Sequence, residues 1–361
     1  MTTNDIKFPN KKNPYFINEL REKVKAHFSS NNISTYGGMQ MILKSVFMLS
    51  LYFVPYFLMY TGIISTVPGL LICWLMMGLG MSGVGLTIMH DSNHKTFSSN
   101  KKVNTFFAKS MYLLGGFPLV WQYQHNTLHH GFTNIEGHDE DIDPGKILRF
   151  SPHKPRYSFQ KYQYIYFPFF YALSTLSWVT RKEFIQLNRY RKTNAKLNTS
   201  KSYNRLFTEL IASKIIYHVV FLVLPIIFFP FAWYWIVAGF ILMHLTCSLL
   251  LSLIFGIAHI MPQAEYPLPD EVNTMENGWA IHQLLTTTDF SQKNRLFTWL
   301  IGGLNYQIEH HLFPNISHVH YRKISGLVKS TAEKYGLPYH VQSGFFMAVL
   351  NHVRMLKLLG R

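Results

Sequence analysis

Charge is absent from two long stretches of this 361-residue chain: residues 45–90 and 215–264 contain no Asp, Glu, Lys or Arg. A helix needs about 20 apolar residues to cross a bilayer. Each uncharged stretch is therefore long enough for two crossings and a turn, and a pair of ordinary soluble domains is excluded. Cysteine is nearly absent as well. Cys73 and Cys247 both fall inside apolar segments, which fits small buried hydrophobes rather than a disulfide or a zinc pair. The first 40 residues lack the apolar core of a signal peptide, so the first transmembrane helix serves as the insertion signal. The chain has no Walker motif, no G-x-S-x-G, no internal repeat and no low-complexity linker.

What is present in excess is positive charge, a net +16. The basic residues flank the apolar segments. Lys7, Lys11, Lys12, Arg21, Lys23 and Lys25 precede the first stretch, and Arg181, Lys182, Arg189, Arg191, Lys192 and Lys196 precede the second. Loops rich in Lys and Arg stay on the cytoplasmic side and sit near anionic headgroups. This placement points to the lipid bilayer and not to nucleic acid.

The patterning predicts transmembrane helices over 45–66, 69–89, 211–229 and 232–258, as two hairpins. Residues 162–180 are apolar and aromatic but hold Gln163, Pro168, Ser174, Thr175 and Ser177 between basic flanks. They are expected to lie flat in the interface, as are residues 104–121. The expected architecture is an all-α integral membrane protein with four transmembrane helices and a cytoplasmic helical cap. Residues 1–40 form a basic N-terminal segment, 41–325 the membrane domain and 326–361 a C-terminal segment. Both termini fall on the cytoplasmic side.

Seven of the 18 histidines stand in three compact groups at the edges of these segments: His90-x-x-x-His94, His125-x-x-x-His129-His130 and Gln307-Ile-Glu-His310-His311. Residues i and i+4 share one helix face, so His90 and His94 can point at one centre, as can His125 and His129. His130 lies about 100° further round, so adjacent histidines can serve two neighbouring ions. Seven or eight imidazoles exceed the need of one metal. His282 is the eighth candidate. His259, directly after the fourth helix, is the best of the remaining near-motif histidines. His218 and His244 read as buried in the bundle, and His27, His153, His340 and His352 as surface residues. Soluble-bundle di-iron sites use Glu-x-x-His, which is absent here. Asp91 and Glu309 are expected to orient ligand imidazoles. The acidic run Glu136, Asp139, Glu140, Asp141 and Asp143 either anchors its loop or pairs with nearby cations. Gly78-Leu-Gly80-Met-Ser-Gly83 fits a dinucleotide fingerprint but lies inside a transmembrane segment, so close helix contact is the better account.

The order H-D-x-x-H, H-N-x-x-H-H, Q-I-E-H-H resembles the membrane fatty-acid desaturases, over about residues 85–325. Gln307 in place of a first His, and the stretch from His129 to Asp143, resemble the front-end and acyl-lipid branch. The resemblance implies two iron ions ligated by His90, His94, His125, His129, His130, His282, His310 and His311, with O2 as co-substrate. Asn126, Asn277 and Gln307 are carried over as supporting residues beside the ligands. The acyl-CoA desaturases place an Asn four residues before their lone ligand His, whereas Asn277 lies five before His282. The chain has no His-Pro-Gly-Gly, the mark of a fused cytochrome b5 domain. Electrons are therefore expected from a separate donor of ferredoxin or cytochrome b5 type. The implied reaction is introduction of a cis double bond into a long-chain acyl substrate, as acyl-CoA or acyl-lipid. The rivals are a hydroxylase, epoxygenase or ketolase on the same scaffold, and a metal transporter or sensor.

Overall fold

The computed structural model describes residues 6–9 and 13–361. Lys11 and Lys12 lie outside them. Four helices are long and apolar enough to cross a membrane: Gly38–Tyr60, Val67–Asn93, Tyr203–Phe228 and Trp233–His259. These are the first to fourth spans below.

The first span begins at Gly38 and not at 45, and the third at Tyr203 and not at 211; each contains a lysine that is paired. Lys44 Nζ sits 2.6 Å from His318 Nε2 and packs over the Trp299 ring. Lys214 forms an ion pair with Glu183. A buried cation is tolerated when a partner compensates its lost hydration. The first span ends at Tyr60 and not near 66, where Gly62 turns at φ +76°. The second span then starts under the Thr66 side chain, which accepts from Gly69 N, with Pro68 in its first turn.

The second span is the centre of the bundle, packed between the first and the fourth. Its glycines permit this. A Cβ on Gly80 would stand 2.5 Å from the backbone N of Tyr52, and one on Gly78 2.7 Å from Met243 O. Met48, Tyr52, Trp74, Met77, Phe240 and Met243 fill the core between these helices. Apolar side chains such as Leu43, Val46, Ile215, Ile216 and Ile227 point outward, as the lipid-facing sides of spans do.

Residues 162–180 form no long helix. They run as Gln163–Ala172, containing Pro168, then Ser174–Ser177 and a widened turn over Trp178–Lys182. Their polar groups dock this segment on its neighbours. Thr175 N donates to Ser248 Oγ of the fourth span, and Gln163 Nε2 to Leu356 O of the C-terminal helix. Residues 104–121 are likewise broken into short pieces around Gly115, at φ +72°.

The shorter helices outside the spans pack on one another around a core cluster of their own. The N-terminal helix Phe16–Ser30 packs on Tyr321–Lys334, with Phe16, Leu20, Val24 and Phe28 meeting Phe313, Ile324 and Val328. Asp289–Phe290 and Val341–Gln342 form a two-residue parallel pair. The C-terminal helix Phe345–Leu359 packs on the fourth span. That contact corrects the surface reading of His352, which is fully buried. Its Nδ1 donates to Ile260 O at 2.9 Å, and its Nε2 accepts from Tyr171 Oη at 2.9 Å.

Candidate metal centre

His90 begins the last turn of the second span, immediately after a widened helical turn, Gly85–Met89. His94 follows one turn later. The second motif sits on another widened turn, Tyr123–His129. Such π-type turns add a residue per turn and re-aim side chains. His125 joins His90, His94 and His310, and His129 joins His259 and His311, while His125 and His129 also meet in a group with Asp141, as their i and i+4 spacing suggested. His130 falls between them, grouped with His310 and His311. Within each group the potential ligand atoms lie within 4.8 Å of one another.

The third motif is a short helix, Gln307–Leu312, completely buried. Its two histidines face different groups because adjacent helical residues diverge. The His310 ring lies 4.5 Å from His90 and 4.5 Å from His130. The His311 ring lies 4.9 Å from His129 and 4.8 Å from His259.

His282 is not brought into these groups. Its Nε2 is 2.7 Å from Thr133 O, and its ring meets Phe8 edge-on. His259, the last residue of the fourth span, instead joins His129 and His311. Its only local signal is that it ends a span on the face where the motifs gather.

The supporting residues also differ from expectation. Asp91 serves His318 at 2.8 Å and stands 3.7 Å from His90. Glu309 contacts no imidazole within hydrogen-bonding distance and instead lies 2.9 Å from Tyr339 Oη. Burial, and then the Asp289 charge beside it, push the Glu309 carboxyl well above its usual range. Asn126 ties the second motif to the first through Asn93 O at 3.1 Å. Gln307 Nε2 donates to Leu304 O. Asn277 precedes the helix Trp279–Thr286.

The carboxylates that do reach the cluster come from the acidic run. Asp139 Oδ2 lies 3.1 Å from His129 Nδ1 and accepts from Asn134 N. Asp141 lies 3.7 Å from His125 and 3.8 Å from His129. Gln283 Oε1 is 2.8 Å from His311 Nδ1, and Tyr321 Oη is 3.1 Å from His310 Nδ1. Each contact fixes one ring nitrogen and aims the other inward. Trp121 stacks on His125 at 4.4 Å, and Phe255 lies 4.9 Å from His259.

Six buried nitrogens of these rings have no hydrogen-bond partner: His90 Nδ1, which stands 3.7 Å from Asp91 Oδ1, His94 Nε2, His130 Nδ1, His259 Nε2, His310 Nε2 and His311 Nε2. Buried polar atoms are normally satisfied. Burial, reinforced by neighbouring imidazoles, holds His94, His130, His310 and His311 well below the usual histidine range, and His125 at about 3. The rings are thus neutral, the form in which imidazole binds a metal. His129 moves the other way: burial lowers it, but the Asp139 charge outweighs that and raises it.

A fatty acid desaturase family model matches residues 65–343, which include all these histidines. The chain belongs to the fatty acid desaturase family. It is 30% identical to an acyl-lipid (8-3)-desaturase of Physcomitrium patens, over 98% of this chain and 74% of that one. It is 32% identical to an sn-1 linoleoyl-lipid 6-desaturase of Arthrospira platensis, covering 99% and 96%. A Synechocystis enzyme of the same description is 28% identical, covering 100% and 99%. The desaturase is therefore an oxidoreductase of lipid metabolism, and its four apolar helices are those of a membrane protein.

Proposed function

We propose that this desaturase inserts a cis double bond into a long fatty acyl chain esterified to a membrane lipid. The convergence of unpartnered, neutral, buried imidazole nitrogens carries the metal part of the reading. The acyl-lipid part rests on the printed activities of its relatives.

The ligands on this reading are His90, His94, His125 and His310 for one iron ion, and His129, His259 and His311 for the second. His130 lies between them. His259 takes the place first given to His282. Two irons held there supply activation of O2 and removal of two hydrogens from neighbouring methylenes. The chain's own residues do the rest. Asp139, Gln283 and Tyr321 lock three of the rings through their remaining nitrogens, which raises ligand basicity and fixes geometry. Trp121 and Phe255 wall the two groups with apolar surface and keep water out. Methylenes along a chain scarcely differ in chemistry, so position must come from shape. Each buried CH2 contributes about 0.8 kcal/mol to holding the chain. On this reading the centre and both termini lie on the cytoplasmic side, which the basic flanks of the spans support. There a separate ferredoxin or cytochrome b5-type protein delivers the two electrons.

The test is expression in a host with its own electron-transfer chain, followed by mass spectrometry that locates double bonds in each lipid class. A new unsaturated acid in intact lipids, absent from a His311→Ala control, is the expected result. Hydroxylated products would move the protein to the oxygenase reading, and desaturation confined to the acyl-CoA pool would overturn the lipid carrier.

A further inference from the structure

Trp279 stands at the surface between two cavities, one of about 770 Å³ and one of about 200 Å³, and lines both. The larger is bounded by the N-terminal helix, with Arg21, Lys25 and Phe28, and by Phe313 and Asn315 just beyond the third histidine motif. Among the described residues no Asp or Glu lines either cavity. Arg21 and Lys25 are exposed. Glu19 on the same helix is already engaged by Lys23 and Lys334, each at 2.8 Å. The groove belongs to the shorter helices outside the spans, whose core cluster is separate from that of the spans.

The inner side of Trp279 touches the metal centre. Its indole Nε1 donates to His130 O at 3.0 Å, and Gln283 Nε2, one helical turn on, lies 3.3 Å from the same carbonyl. Gln283 also meets His311 Nδ1. One short helix thus connects the basic groove to two proposed ligands.

We propose that this groove is the docking surface for an acidic protein that carries single electrons, and that electrons enter through Trp279 and the His130 backbone. The inference rests on the desaturase reading of the site. The wall is cationic with an aromatic floor, which complements an acidic rim around a planar redox group. Two successive dockings deliver one electron each. The carrier is oxidised each time and the centre is reduced, while Trp279 keeps its own electrons and provides a bonded path.

Docking is measured on the metal-free protein in neutral-lipid nanodiscs, using a plant-type ferredoxin and a soluble cytochrome b5 domain as probes. The double variant Arg21→Glu/Lys25→Glu is compared with Lys293→Glu/Arg295→Glu, a pair of exposed cations outside the groove. Both variants change the net charge equally. The groove variant is expected to bind at least one probe about tenfold more weakly at low salt and to lose most of the salt dependence. The control is expected to stay within about twofold of the parent. Equal effects of the two variants, or none, overturn the surface. Weakened binding to phosphatidylserine vesicles with carrier binding intact overturns it in favour of a membrane contact. In the iron-loaded protein, Trp279→Phe keeps the ring but drops the N–H. It is expected to slow reduction by docked carrier several-fold and leave reduction by dithionite unchanged. Unchanged transfer from the carrier overturns the Trp279 route. None of these readouts depends on product formation, so a failed acyl-lipid assignment would leave them interpretable.

Discussion

His318 Nδ1 lies 2.8 Å from Asp91 Oδ1, although 227 residues separate them. On its other side His318 Nε2 accepts from Lys44 Nζ at 2.6 Å. One neutral imidazole therefore bridges a buried cation of the first span to a buried anion at the end of the second, beside ligand His90. All three residues are nearly inaccessible to water. The bridge clamps the first histidine motif to the segment that follows the third.

Removing the bridge should be costly. His318→Ala leaves Lys44 and Asp91 buried without their shared partner, and breaking such an arrangement costs about 3–5 kcal/mol. The expected result is a clearly lowered unfolding temperature at fixed detergent and protein concentration. Wild-type stability in this variant would mean that water replaces the ring without loss.

Metal content separates His259 from His282. His259→Ala is expected to lower bound iron, because it removes one of three imidazoles in its group. His282→Ala is expected to retain it, since that ring bonds Thr133 O. Quantifying iron per protein in both variants decides between them, and the opposite pattern would restore His282 as the eighth ligand.

Asp139→Asn preserves shape but removes the charge facing His129. Partners of ligand imidazoles typically contribute about 10- to 100-fold in metal affinity or activity. A loss in that range, with unchanged thermal stability of the metal-free protein, is expected from iron titration and turnover. An unaffected variant would make Asp139 a loop anchor only.

Acid should destabilise the metal-free protein in a defined window. Burial holds His282 and His352 at about 4, against 6.5 for a free histidine. Between about pH 4 and 6.5 the unfolded chain binds protons that the folded chain refuses. Their contribution is therefore fully present above pH 6.5, falls as pH drops to about 4, and is level below. Each group contributes on the order of 3 kcal/mol across that range. Unfolding followed from pH 7 to pH 4 should show this fall, with a shallower slope in His352→Gln. Stability that rose on acidification would contradict buried neutral rings.

Gly80→Ala tests the bundle. The added methyl would meet backbone atoms of Leu51 and Tyr52, 2.7 Å or less away, which cannot step aside like a side chain. Overpacking of this kind costs about 1–3 kcal/mol, readable as a lowered unfolding temperature. Unchanged stability would mean that the first span shifts freely.

The sequence by itself marked the four apolar spans and seven of the histidines that the structure gathers. Both signals are local. A run of uncharged residues must avoid water along its whole length, and His at i and i+4 share a helix face wherever the helix goes. The start of the first span was not legible, since Lys44 looks like a boundary until His318 is seen beside it. Only tertiary structure grouped His259 rather than His282 with the motif histidines, selected Asp139 from an acidic run, and buried His352 of the C-terminal helix against the fourth span. These outcomes depend on which distant segment supplies a partner for a buried polar atom, and that is settled by packing rather than by spacing along the chain.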